Sequence, residues 1–284
     1  MSDPSKPEVM PDDDRNTSAA QQDVEAFVEQ LPVGEHVEEV EGESGAKVKR
    51  KGVFLLPSLI TLGALFAGFY AIIASMTGRF EEAAIAIVVA GVLDGLDGRI
   101  ARLTNSQSAF GAELDSLSDM VSFGVAPALI TFNWGLSSLG RVGWAIAFLY
   151  VAGAALRLAR FNTQIGKTDA RYFTGLASPA AAAVVITMVW LLTNNGLAGS
   201  SMTREVAILG AIVVALAGVL MVTNIQYVSF KGLDFRGRVP FALLLVVPML
   251  FAIVLLYPPL VLFGIALIYL VSGPSRYVWQ KLRS

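Results

Sequence analysis

Between Val53 and Ser272 long apolar runs alternate with short polar breaks. The runs have the length a helix needs to cross a bilayer, roughly 17–25 residues. The pattern predicts eight spans, over Val53–Met76, Glu82–Gly98, Phe110–Trp134, Val142–Leu158, Leu176–Thr193, Val206–Ser229, Val239–Tyr257 and Pro259–Ser272. Pro258-Pro259 reads either as a tight turn between the last two spans or as a kink in a re-entrant segment. A large soluble helical core would require polar outer faces, which most of these runs lack. Residues 1–46 are different: they are polar, with a weak apolar spacing at Val24, Phe27, Val28 and Leu31, and read as a mostly disordered tail. The expected fold is an all-α membrane bundle over residues 47–284, preceded by that tail.

Composition supports the bundle. Of 284 residues 55% are hydrophobic and 15% charged, where a soluble domain carries about 25% charged residues, and the mean hydropathy is +0.62. There is no cysteine, which excludes disulfides, thiolate metal sites and thiol catalysis, and the single histidine, His36, lies in the polar tail. Chemistry here must use carboxylates, hydroxyls, amides, Lys, Arg or a bound cofactor.

The net charge of -2 conceals two regions: residues 1–46 balance at -11 and the remainder at +9. The acidic start lacks the positively charged region and apolar run of a secretory signal. With the tail in the cytoplasm, sixteen Lys and Arg fall on the tail side of the spans and only Arg79, Arg141 and Arg204 on the far side. That asymmetry obeys the positive-inside rule and predicts both termini on the cytoplasmic side of the cell inner membrane. No nucleic-acid partner is expected.

Four aspartates stand where apolar runs should exclude them. Asp94 and Asp97 close the second expected span, and Asp115 and Asp119 open the third. On a helical wheel Asp94, Asp97, Gly98 and Ala101 share one face, as do Gly111, Asp115, Asp119 and Ser122. Two carboxylate pairs then confront each other across a hairpin, and so many anions at close range call for a compensating cation. All-oxygen ligation suits Mg²⁺ or Mn²⁺, one ion or two, with phosphate oxygens completing the shell. The small residues Gly98, Ala101 and Gly111 leave room for a ligand beside the backbone. A metal-bound phosphate ester is the expected substrate.

The residues form the pattern Asp94-Gly95-Leu96-Asp97-Gly98-Arg99-Ile100-Ala101-Arg102, then Gly111, Asp115 and Asp119. This resembles the signature of the CDP-alcohol phosphatidyltransferase family, D-x-x-D-G-x-x-A-R-x8-G-x3-D-x3-D, with every defining position matched. The stretches Leu56–Gly63, Ala155–Thr163 and Phe173–Ala182 are similar to the serine-accepting branch of that family, with Pro57-Ser58 where that branch commonly has Pro-Asn. The resemblance implies transfer of a phosphatidyl group from CDP-diacylglycerol to L-serine, two divalent ions, and a homodimer. By the family pattern Asp94 and Asp115 bridge the ions, Asp97 completes one and Asp119 the other.

With no suitable histidine, Asp119 is also the candidate acceptor of the hydroxyl proton. Arg102 is a candidate phosphate contact, along with the cradle of Gly98, Ala101 and Gly111, or else an interface anchor. Serine carries a carboxylate, and Arg157 and Arg160, three residues apart on one helix face, are candidates to hold it as a fork, with Asn162 and Ser178 as further candidates. Snorkelling anchors are the alternative for both arginines. Glycerol phosphate, inositol (phosphate) or choline as acceptor stays open. A cation transporter is the competing class, but it predicts carboxylates spread along several spans rather than gathered at one end.

Overall fold

The computed structural model describes residues 40–41, 47–48, 55–104, 106–164, 172–228, 249 and 253–283. The chain divides into two compact units, Met1–Val53 and Phe54–Ser284. In the first, β1 (Val40–Glu41) pairs antiparallel with β2 (Lys47–Val48). The rest of the expected tail, including the weakly apolar Val24–Leu31, lies outside the described residues.

The second unit is helical. Its rods are α1 (Leu55–Met76), α2 (Phe80–Leu103), α3 (Ala109–Asp119), a π-helical segment (Met120–Val125) running on into α4 (Ala126–Trp134), α5 (Arg141–Gln164), α6 (Ser178–Asn194), α7 (Arg204–Val222) and α8 (Pro258–Arg283). With α3, the π segment and α4 counted as one rod, these occupy seven of the eight expected spans. The expected span over 239–257 lies largely outside the described residues. Among the described residues α1, α5, α7 and α8 are long and apolar enough to cross a membrane, and α6 is a shorter apolar helix.

The expected boundaries shift where local chemistry overrides hydropathy. α2 continues past Gly98 to Leu103 because its last turns are amphipathic, with Arg99 and Arg102 exposed. Thr203 caps α7 by accepting a hydrogen bond from the Val206 amide. The same helix stops at Val222, not Ser229, because the β-prone Gln226-Tyr227-Val228 forms a strand, β4, antiparallel to β3 (Tyr172–Thr174). Pro258 opens α8, where a proline costs no hydrogen bond, so the Pro-Pro pair is a helix start.

Small residues set the packing. α1 lies along α2 with Ala71, Ala74, Ala83, Ala84 and Ala90 buried. An added Cβ at Gly153 of α5 would approach the Gly218 carbonyl of α7 to 2.5 Å, so these two helices touch backbone to backbone. α6 is the central rod, buried throughout from Val184 to Trp190. The outer face of α1 exposes Leu59, Leu62, Phe66, Phe69, Ile73 and Met76, a surface suited to lipid.

Candidate active site at the carboxylate cluster

α2 and α3 form the hairpin expected from the aspartate spacing. At its turn Thr104 ends α2 with its amide on the Ile100 carbonyl, and the Thr104 and Ser106 hydroxyls lie 2.6 Å apart. Ser108, in extended backbone, then caps α3 by accepting from the Gly111 amide at 3.0 Å. The antiparallel return brings one carboxylate oxygen each of Asp94, Asp97 and Asp115 within 4.8 Å of one another. Asp119 stands one turn on from Asp115. One of its oxygens, Oδ1, is buried without a hydrogen-bond partner among the described residues, while the side chain is within hydrogen-bonding reach of Asp94 and electrostatic reach of Asp115 and Arg157.

Three converging carboxylates and a fourth with an orphaned oxygen are a set that hard divalent cations satisfy. The cradle beside them is open. Among the described residues a Cβ at Gly98 would meet only the Arg102 guanidinium, at 3.8 Å, and one at Gly111 only the Ser108 hydroxyl, at 3.2 Å. Arg102 therefore folds back beside Gly98 while remaining exposed, and Ala101 is half-buried one turn below.

α1 is the support for both halves of the hairpin. The Thr61 hydroxyl reaches Asp97 Oδ2 at 2.5 Å, the Ser118 hydroxyl donates to the Thr61 carbonyl at 3.2 Å, and the Ser122 hydroxyl donates to the Ala64 carbonyl at 3.1 Å. Ser122 lies within the π segment that begins directly after Asp119. Tyr150 of α5 donates to the Phe123 carbonyl of that segment at 3.1 Å. π turns inside α-helices concentrate at functional sites, where the extra residue re-aims its neighbours.

Arg157 and Arg160, expected to hold one carboxylate between them, have separate partners within the protein. Arg157 donates to the Ser178 hydroxyl at the start of α6 and faces Asp119 and Asp94, with Tyr150 and Tyr269 beside it. Arg160 turns instead to Asn224, whose side-chain oxygen accepts its hydrogen bond at 2.8 Å. The two guanidinium groups point to different partners because three residues turn a helix by about 300°, which leaves a divergence that long side chains amplify. Asn162 is joined to Ser116, adjacent to Asp115, with its amide 3.0 Å from the hydroxyl. Thr61, Ser116, Ser118, Tyr150 and Asn224 were not legible as site residues. Only Thr61 carried a signal, as one of the two hydroxyl residues, with Ser58, inside the similar stretch at the start of α1.

The family profile of CDP-alcohol phosphatidyltransferases matches residues 54–223, from the start of α1 to the end of α7. The chain is a member of that family. A CDP-diacylglycerol–serine O-phosphatidyltransferase of Helicobacter pylori (strain J99) is 40% identical over 234 residues, 81% of this chain and 94% of that relative. A protein of the same name in Mycobacterium bovis is 35% identical over 239 residues, 82% of each chain. Another, in Saccharomyces cerevisiae, is 39% identical over 144 residues, 46% of this chain and 51% of that relative. The family is generally dependent on divalent metal, and its members work in membranes, in keeping with the acidic cluster and the four apolar helices.

Proposed function

We propose that this protein transfers the phosphatidyl group of CDP-diacylglycerol to the hydroxyl of L-serine, giving phosphatidylserine and CMP. The observation that carries the reading is the convergence of Asp94, Asp97 and Asp115 beside the unpartnered oxygen of Asp119, in a chain whose relatives bear that activity in their names. The serine oxygen attacks the β-phosphorus, the bond from that phosphorus to the CMP oxygen breaks, and the hydroxyl proton passes to Asp119.

Asp94, Asp97, Asp115 and Asp119 would hold two divalent ions, Mg²⁺ or Mn²⁺, Asp94 and Asp115 as the ligands the two would have in common. Such ions, when bound, neutralise charge on the diphosphate and on the departing phosphate. Gly98, Ala101 and Gly111 give the nucleotide headgroup access to the hairpin, and Arg102 pairs with its phosphate. Arg157, held by Ser178 and pointing toward Asp119, receives the serine carboxylate. Asn162 and Arg160 border that pocket through Ser116 and Asn224.

In this reading the carboxylate cluster and both termini face the cytoplasm, in the inner membrane, and the enzyme acts as a homodimer. Residues 1–46 form an acidic tail outside the catalytic unit of residues 47–284. The deciding experiment is an acceptor screen with CDP-diacylglycerol and labelled serine, inositol, glycerol phosphate and choline, read as CMP release and labelled lipid. Labelled lipid from serine alone supports the reading. Product with inositol or glycerol phosphate and none with serine overturns the acceptor and leaves the reaction class standing.

A further inference from the structure

The stretch Leu56–Gly63 contains a buried hydroxyl that the chemistry above does not use. Thr61 lies in α1, and its Oγ1 is 2.5 Å from Asp97 Oδ2 and 3.1 Å from the Pro57 carbonyl. A hydroxyl carries one proton, and an ionised carboxylate is a stronger acceptor than a peptide carbonyl, so the proton belongs to Asp97. The carbonyl of the same residue accepts from Ser118, the neighbour of Asp119. Thr61 thus touches one carboxylate helix through its side chain and the other through its backbone. Asp97 is the buried member of the cluster, where an oxygen left without a donor is costly and the side chain needs a fixed rotation to act as a ligand.

We propose that Thr61 is a positioning residue that orients Asp97 for the divalent cation and holds it at a set distance from the helix bearing Asp115 and Asp119. The inference rests on the reading of the cluster as a cation site. Partners of this kind alter metal affinity by about 10- to 100-fold when removed.

The test is Mn²⁺ binding to the metal-free, detergent-solubilised protein, followed by the loss of the free-ion electron paramagnetic resonance signal and without substrate. The wild type is compared with Thr61→Val, Thr61→Ser and Asp97→Ala, and with Thr61→Val made in the Asp97→Ala background. Thr61→Val, nearly isosteric but without the hydroxyl, is expected to weaken Mn²⁺ binding by at least about tenfold, and Thr61→Ser to stay within about twofold. In the Asp97→Ala background Thr61→Val should cause no further loss, because a residue acting through Asp97 has nothing left to orient.

Wild-type Mn²⁺ affinity in Thr61→Val, or equal losses in Thr61→Ser and Thr61→Val, overturns the positioning role. So does aggregation of the valine variant in both backgrounds, which would assign Thr61 to packing. A wild type that binds no Mn²⁺ overturns instead the cation reading on which the inference rests.

Discussion

Arg157 of α5 donates a hydrogen bond to Ser178 at the first turn of α6 while facing Asp119 across the site. Arg160, one turn later, is committed to Asn224. The two cations therefore have unequal roles. Arg157→Ala should lower kcat/KM for serine by about 10- to 150-fold, the worth of a charge-assisted bond of roughly 1.5–3 kcal/mol, with little change in the KM for CDP-diacylglycerol. Lysine at position 157 should rescue only in part, because it keeps the charge and loses the planar fork. Arg160→Ala should cost less than about tenfold, the upper end for an ordinary hydrogen bond. Steady-state kinetics with each substrate varied separately measures both.

Asp94→Ala and Asp115→Ala should each leave less than a tenth of the CMP release, since under the proposed function loss of either carboxylate removes more than about 1.4 kcal/mol of transition-state stabilisation. Both proteins should keep the wild-type melting temperature measured without metal. Asp119→Asn should depress turnover more than binding of CDP-diacylglycerol, measured by filtration with labelled lipid.

Pro274 lies inside α8 and has no N–H for the carbonyl of Leu270, four residues earlier, and the Tyr227 hydroxyl of β4 donates to that carbonyl at 3.1 Å. Tyr227→Phe should destabilise the protein by about 1–3 kcal/mol, the cost of a buried acceptor left unmade. In a Pro274→Ala background the same change should cost less, because the alanine amide supplies the missing donor. Thermal unfolding of the four proteins closes the cycle.

An added Cβ at Gly68 would run into the hydroxyl of Ser122 and come within 2.8 Å of its Cα. Gly68→Ala should cost about 1–3 kcal/mol by overpacking and, because Ser122 belongs to the segment after Asp119, should reduce turnover as well. Gly264→Ala in α8 meets nothing within 4 Å among the described residues and should leave stability unchanged or raise it by up to about 1 kcal/mol. Melting curves and CMP release distinguish the two.

Deleting residues 1–44 should leave catalysis intact, since Lys47, Lys49, Arg50 and Lys51 still supply the positive charge on which the expected orientation depends. Membrane fractionation with an activity assay checks this. A truncated protein that inserts normally and has lost activity would assign the tail a catalytic role.

The four aspartates were readable because their spacing is periodic and their setting apolar, two signals that seldom coincide by chance. The separate partners of Arg157 and Arg160 were not readable, because a shared helix face does not dictate a shared partner and Asn224 lies 64 residues from Arg160, beyond any local pattern. Hydropathy merged α7 with β4, since an apolar strand and an apolar helix score alike until backbone pairing separates them. The π segment left no trace in the sequence, because its hydrogen bonds skip one residue farther while its side chains stay apolar or small.

That segment also fixes the angular indexing of the rod that bears Asp115 and Asp119. Each residue of a regular α-helix advances the winding by about 100° and 1.5 Å, and the wider π turn absorbs one residue more, so closing Met120–Val125 into plain α-helix with no residue removed would rotate everything downstream relative to the aspartates. Ile130 and Trp134, now buried, would swing away from the bundle, and Leu129, now exposed to the surroundings, would be carried inward. The surplus residue acts as a phase adjuster. It lets the carboxylate-bearing end of one continuous rod and the end buried in the bundle beyond Ala126 obey separate angular requirements.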